Sequence, residues 1–415
     1  MTEHTGCVVV GGGPAGIVAG LLLARTGVEV TVLEKHPDFL RDFRGDTVHP
    51  STLTLLDELG LGERFDALPH SELTAAGFPT DDGGMMKLAD MTRLKVPHPY
   101  IAMVPQWDFL DLLADSAGKE ATFTLRMETE MTGLIRESGR GSAVVGVRYK
   151  TAEGTKGELR ADLVIAADGR WSLARREAGL EPKEYDCPFD VWWFRLSRHD
   201  DEGEGTLTPR MRNRRFAVPL PRNGYFQIAY LAPKGADLRK QGIEAFRANV
   251  TEVCPEFADR VHELKTMDDV KFLDVRLNLL GEWHVDGLLC IGDAAHAMSP
   301  VGGVGINLAV QDAVAAATLL AQPLRRGRPT PADLAKVRSR RLLPTMLVQG
   351  LQRVLHRTVM RPVMAGKRNG PPPAMIKLFA RFPRLSYLPA RLLGLGLRPE
   401  HAPAFARRAM ERVES

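Results

Sequence analysis

The sequence predicts an α/β fold: a parallel sheet flanked by helices, an inserted and mainly antiparallel β-sheet, and a helical C-terminal region. Three observations predict it. A strand, a glycine turn, a helix and a second strand follow one another between residues 6 and 35. Two later apolar strands each run straight into a carboxylate. Between those two lies a stretch of aromatic and β-branched runs separated by turn residues.

The first unit is GCVVVGGGPAGIVAGLLLARTGVEVTVLEK. Cys7 to Val10 is a short buried strand, Ile17 to Leu23 continues as an apolar helix ending near Gly27, and Glu29 to Leu33 is the second strand. Gly11, Gly13 and Gly16 have the G-x-G-x-x-G spacing. The first glycine allows a tight turn, the second lets a pyrophosphate approach the backbone, and the third lets helix and strand pack closely. The amides of the helix N-terminus then face the phosphates. Glu34 closes the second strand, where a carboxylate binds the ribose hydroxyls of an adenine nucleotide. An acid there disfavours a 2′-phosphate, so the motif points to FAD or NAD rather than NADP.

The second and third units are ADLVIAADGRWSLARR, whose strand Leu163–Ala167 meets Asp168 and Gly169, and DGLLCIGDAAHAMSP, whose strand Leu288–Ile291 meets Gly292 and Asp293. Each puts an acid at the C-terminal end of a strand, where ligands bind in open α/β sheets. The glycines that follow, through Asn307, require bare backbone rather than continuous helix.

Between Glu181 and about Val275 the runs FDVWWFRLSR, RRFAVPLP and GYFQIAYLAP read as antiparallel strands. They would floor a substrate cavity, with Trp193, Phe216, Tyr225 and Phe226 as candidate lining. Strand faces alternate, so about half of these should be ordinary core. The adjacent Trp192 and Trp193 should point to opposite faces.

Charge is unevenly spread. From Arg325 to Ser415 there are 20 Lys+Arg against 4 Asp+Glu, whereas the rest of the chain holds 35 against 47. Interleaved apolar residues make this tail a helical cover whose arginines pair with the acidic body; the alternative is weak contact with an anionic membrane surface. GPPP at 370–373, Pro383 and Pro389 should break its helices. No nucleic-acid recognition motif is present. The four scattered cysteines, the lack of a signal-peptide pattern and the lack of a long apolar span point to a cytoplasmic chain, with peripheral membrane contact as the variant.

Three motifs, GGGPAG at 11–16, DGRWSLAR at 168–175 and GDAAHAMSPVGGVGINLAVQDA at 292–313, resemble in kind and order those of the group A flavoprotein monooxygenases of the p-hydroxybenzoate hydroxylase type, over roughly residues 5–320. The resemblance implies a Rossmann-like FAD-binding domain (1–180, with a substrate-side insertion near 72–100, and 276–330), a β-sheet substrate domain (181–275) and a C-terminal helical region (331–415). It implies FAD contacts at Gly11, Gly13, Pro14, Ala15, Gly16, Glu34, Lys35, Arg44, Gln106, Asp168, Gly169, Gly292, Asp293, Pro300, Gly303, Gly305, Ile306 and Asn307. Asp293 would bind the ribityl chain, and the amides of Gly305, Ile306 and Asn307 would face the flavin pyrimidine. Pro300 would line the substrate cavity over the ring, His296 would be structural, and Arg175 would be a surface charge.

The activity so implied is hydroxylation of an electron-rich, aromatic small molecule with NAD(P)H and O2 through a flavin C4a-hydroperoxide. No side chain is needed as a dedicated acid or base. With no second G-x-G-x-x-G unit, NAD(P)H visits transiently. The rivals are a flavin-dependent reductase of isoprenoid-type substrates on the same fold, and a non-catalytic flavin or membrane-surface binding protein.

Overall fold

The computed structural model describes residues 3–40, 47–79, 85–137, 142–200, 202 and 205–409. Its largest sheet runs in the order His284–Val285, Leu288–Cys290, Lys156–Ala166, Glu3–Val10, Val30–Leu33, Phe123–Arg126. From Leu288–Cys290 to Phe123–Arg126 the pairings are all parallel. The strands Cys7–Val10, Leu163–Ala166 and Leu288–Cys290 read as unbroken apolar runs because both faces are covered, and these residues are at most 5% exposed. Lys156–Ala166 is longer than the motif predicted. Its first half pairs antiparallel with Val144–Thr151, which in turn pairs with Thr129–Arg136.

The helix Pro14–Ala24 is buried from Ala15 onward. A helix apolar on every side needs neighbours on every side, and it packs on the sheet and on the helices Gly305–Arg325 and Gln106–Gly118.

The inserted sheet is antiparallel throughout, in the order Arg210–Arg212, Arg215–Pro221, Tyr225–Pro233, Phe189–Ser197, Lys271–Leu273. One face carries Trp192, Phe194, Phe226 and Ile228 against Phe246, Val250 and Phe257, from the helix Gly242–Val253 and the turn after it. The other face carries Trp193, Phe216 and Val218, which meet Val301, Leu73 and Met103 outside the inserted sheet and Met360, Val363 and Met364 of the tail. The adjacent tryptophans therefore point apart as the strand period requires. Short strands at Thr206–Leu207, Ala75–Pro79 and Met85–Asp90 form a small three-stranded sheet, in that order.

The tail begins with the helix Pro331–Leu355, started by a capping box between Thr330 and Asp333. It continues through a π-helical turn, His356–Met360, into Arg361–Met364. Tyr387–Gly394 then packs on Ala89, Met91 and Leu94, and Leu393 reaches Met298, Val304 and Leu308. Pro389 does not break that helix, because it lies in the first turn, where no intrahelical donor is lost. Basic side chains of the tail pair with acids of the body: Arg328 with Glu137 and Asp286, Arg341 with Asp312, Arg361 with Asp186, Arg407 with Glu58. Among the described residues no helix is long and apolar enough to cross a membrane, and no group of side chains could hold a metal ion. All four cysteines are free and buried.

Candidate flavin and substrate site

Strand register brings the three motifs together. Val10 pairs with Leu33 on one side and Ala166 on the other, and Ala166 pairs with Cys290. Glu34, Gly11, Asp168 and Gly292–Asp293 thus follow the C-terminal ends of four adjacent parallel strands. The ends are tied by backbone bonds, from Gly11 N–H to Leu33 O at 2.8 Å, Ala167 N–H to Val10 O at 2.8 Å and Ile291 N–H to Ala166 O at 3.0 Å.

Each glycine of the first motif has its own constraint. Gly11 has φ +102°, and a side chain there would meet Ala167 O at 2.5 Å; a Cβ on Gly16 would lie 1.9 Å from Gly11 O. Those two glycines are required by the protein itself. Gly13 is different: a Cβ there would meet nothing, although this residue caps the N-terminus of the Pro14–Ala24 helix without a side-chain bond. Open space in front of uncapped amides is what a dinucleotide pyrophosphate fills. Pro14 and Ala15 begin the helix behind it.

The Glu34 carboxylate accepts from Gly12 N–H at 2.9 Å and His36 N–H at 3.1 Å, which aims it along the glycine turn. Lys35 is exposed at the strand end, and Gln106 is half-buried at the start of the Gln106–Gly118 helix. Arg44 lies outside the described residues.

Asp168 Oδ2 accepts from Ala174 N–H at 3.1 Å, while its Oδ1 is buried without a partner. Burial pushes this carboxyl above the usual carboxylate range. Gly169 has φ +81° and open space at its Cβ position. Asp293 is joined to Arg170, Nη2 to Oδ2 at 3.3 Å, so the second and third motifs meet directly. Its other oxygen is an open acceptor, as a ribityl hydroxyl requires.

Arg175 is not the surface charge the sequence suggested. It is 5% exposed and donates to Ala294 O and Arg170 O, each at 3.0 Å, locking the two acidic turns together. No sequence signal distinguishes it, because both acceptors are backbone carbonyls. Beside Gly169 the exposed Trp171 ring is covered by the Arg276 guanidinium at 3.9 Å.

The third motif forms a loop of positive-φ glycines, Gly302 (+85°) and Gly303 (+64°), before the helix Gly305–Arg325. That helix also begins without a side-chain cap, so the amides of Gly305, Ile306 and Asn307 remain available donors at its positive end. The Asn307 side chain is used structurally: Oδ1 accepts from Ser51 Oγ at 2.8 Å and Thr52 Oγ1 at 2.6 Å. Gly303 O accepts from Thr47 Oγ1 at 2.7 Å and faces His49 Nε2 at 3.0 Å, and His49 Nδ1 faces Leu393 O at 2.8 Å. His49 thereby links the glycine loop to the C-terminal cover. Sequence inspection missed it because its partners lie about 250 and 340 residues away. Pro300 is half-buried in the same loop, next to Val301, which touches the inserted sheet.

His296 is buried under Trp283 and donates to Asp312, which also accepts from Arg341 Nε and Gly292 N–H at 3.1 Å each. Burial works to raise the Asp312 pKa, but His296, Arg341 and the Gly292 amide outweigh it and hold the carboxyl below its usual range. This network braces the back of the motif, as a structural role for His296 implies.

Of the four aromatic candidates, Trp193, Phe216 and Tyr225 share the face turned to the nucleotide-binding part. Phe226 does not; it lies on the opposite face, its ring 5.2 Å from Phe257, and belongs to the core beneath the Gly242–Val253 helix. Phe216 is only 3% exposed and packs against the tail. Tyr225 lies under the Arg195 guanidinium at 5.0 Å. Trp193 keeps a buried indole Nε1–H with no protein acceptor. Arg222 and Gln227, buried and joined at 3.0 Å, were not anticipated.

The FAD binding domain family matches residues 4–348. The chain is 35% identical over 335 residues to 6-methylpretetramide 4-monooxygenase of Streptomyces rimosus, covering 78% of this chain and 77% of that relative. It is 30% identical over 320 residues to rifampicin monooxygenase of Streptomyces venezuelae, covering 74% and 62% respectively. In structure it is similar to the OxyS anhydrotetracycline hydroxylase from Streptomyces rimosus, with TM-score 0.75, 23% identity, and coverage of 97% of this chain and 77% of that one. That last likeness is one of fold.

Proposed function

The chain belongs to the FAD binding domain family of flavin-dependent monooxygenases, and from that premise we propose that it hydroxylates a multi-ring phenolic molecule of the pretetramide or tetracycline kind. Relatives named for such substrates support this class. The observation that carries the reading is the convergence of Glu34, Gly13, Asp168 and Asp293 at adjacent strand ends, with the Pro300–Asn307 loop lying between them and the Trp193 face of the inserted sheet.

When bound, FAD supplies the redox chemistry, taking a hydride from NAD(P)H and activating O2. The chain's residues do the rest. Glu34 holds the adenosine ribose, and the open cradle at Gly13 holds the pyrophosphate. Asp293 accepts from the ribityl chain, oriented by Arg170. The uncapped amides of Gly305, Ile306 and Asn307 stabilise negative charge at the pyrimidine end. Pro300 lines the substrate side, and the Trp193 indole N–H donates to a substrate oxygen. Leu393 and the Tyr387–Gly394 helix cover the glycine loop and exclude water. The four buried, unpaired thiols favour a reducing cytoplasmic setting. The helix Pro373–Arg381 buries no residue and exposes Ile376 and Leu378 near Lys377 and Arg381, which favours weak contact with an anionic membrane surface.

The test is turnover of the FAD-loaded protein with NADPH or NADH under ¹⁸O2, with a panel of phenols and tetracycline-type aromatics. One panel member should stimulate NAD(P)H oxidation and gain one ¹⁸O atom. Substrate-dependent NAD(P)H oxidation without O2 uptake, on isoprenoid chains, would replace this reading with the reductase.

A further inference from the structure

We propose that Arg353, His356, Arg357 and Arg361 form a second binding site, separate from the flavin cleft, for a phosphate-type oxyanion. These four side chains, with Tyr185 and Asp186, line a cavity of about 80 Å³, well above the ~10–15 Å³ a single water needs.

The three arginines are spaced four residues apart along the continuous run from Pro331–Leu355 through the π-helical turn His356–Met360 to Arg361. Residues four apart share a helix face, so their guanidinium groups converge. Asp186, the one acid among the described lining residues, is paired with Arg361. Arg357 is exposed and has no ion pair among the described residues. Arg353 is stacked over the Tyr185 ring at 4.6 Å, which fixes the plane of its guanidinium, and its Nε is buried with no acceptor.

His356 adds a donor from beneath. It is 2% exposed, and its Nε2 faces Ser299 Oγ at 3.0 Å. That hydroxyl also accepts from Val301 N–H at 3.4 Å. Burial keeps the imidazole neutral, its pKa lowered to about 4. In the tautomer whose Nε2 accepts from Ser299 Oγ–H, the ring proton is on Nδ1, which is buried with no partner among the described residues.

The Arg353 Nε–H and the His356 Nδ1 lack partners, and a second guanidinium, that of Arg357, lacks a counter-ion among the described residues. Planar guanidinium forks match tetrahedral oxyanions and carboxylates better than any neutral ligand. Two sources carry that chemistry: the phosphate groups of NADPH, and free phosphate. Ser299 belongs to the glycine loop that carries Pro300, so an anion bonded to His356 would also steady that loop.

The test is calorimetric titration of the FAD-loaded full chain with inorganic phosphate at neutral pH. One saturable site is expected, weakened at least about tenfold in Arg357→Gln and in Arg353→Gln and unchanged in Lys336→Gln, which lies on the same helix outside the cavity. Arg357 is exposed and makes no hydrogen bond or ion pair among the described residues, so its variant remains informative if Arg353→Gln misfolds. No saturable binding, or equal binding in the Arg357→Gln protein, would overturn the proposal.

Steady-state kinetics then separate the sources. If the anion is the nucleotide's, phosphate competes with NADPH, and the Arg357→Gln KM rises for NADPH and holds for NADH. If it is free phosphate, both KM values hold while the calorimetric site is lost. The titration needs no turnover, so its outcome stands whether or not the hydroxylase reading does.

Discussion

His296 Nε2 lies 2.5 Å from Asp312 Oδ2, and neither side chain is more than 1% exposed. Asp312 is the hinge of a buried chain of paired side chains, His296–Asp312–Arg341–Glu400, that runs from the third motif into the C-terminal tail. A carboxylate so placed is costly to remove, because Arg341 would stay buried and lose one of its two anionic partners.

Asp312→Ala is therefore expected to lower stability by about 3–5 kcal/mol, read by denaturant unfolding of the FAD-loaded protein. By contrast Lys336→Ala, which breaks an exposed pair with Asp333, should change it by less than about 1 kcal/mol. Equal effects from the two variants would refute the bracing role.

The glycines of the first motif should separate folding from cofactor binding. A Cβ at position 16 collides with Gly11 O, whereas one at position 13 meets no protein atom. Gly16→Ala should yield little folded protein. Gly13→Val should fold with near wild-type melting of the apoprotein yet bind FAD at least about tenfold more weakly, a loss of about 1.4 kcal/mol or more. Unaltered FAD affinity in Gly13→Val would remove the pyrophosphate from that cradle.

Trp193 and Phe226 make a second contrast. The Trp193 Nε1–H has no partner among the described residues, so Trp193→Phe should lose only the packing of the missing ring atoms and stay folded while raising the substrate KM and the fraction of NAD(P)H oxidised without product. Phe226→Ala, in the core on the opposite face, should cost about 3–5 kcal/mol of stability and leave the KM of the surviving folded enzyme in place. The proposed role of Trp193 fails if its variant shows only a stability change.

Acid should destabilise the fold through two histidines. Burial lowers the pKa of both His49 and His356 to about 4, against about 6.5 in the unfolded chain. Both stay neutral when folded and bind a proton when unfolded between those values, so stability is complete above about pH 6.5 and is lost as the pH falls toward 4. Urea unfolding across that window should report uptake of close to two protons. In His356→Gln the uptake should fall by about one; an unchanged slope would show that His356 is not held neutral.

The sequence by itself determined the parts that depend on local spacing. Gly11, Gly13 and Gly16 are legible because a tight turn, an open helix N-terminus and a close helix each take a glycine at a set interval, and Glu34 because it ends the second strand. The strands ending at Asp168 and Asp293 are legible because a strand buried on both faces must be apolar without alternation. Only the tertiary structure decided what pairs across distance. Arg175 and Arg170 bind backbone carbonyls and a carboxylate of another motif, and His49 and His356 tie the glycine loop to the tail; no local pattern marks such contacts. The face on which each aromatic lies was likewise undecided, because alternation gives two sets of side chains and no sign for either. Register against Val301, Leu73 and Met103 turned Trp193 toward the glycine loop, and the Gly242–Val253 helix took Phe226 into the opposite core.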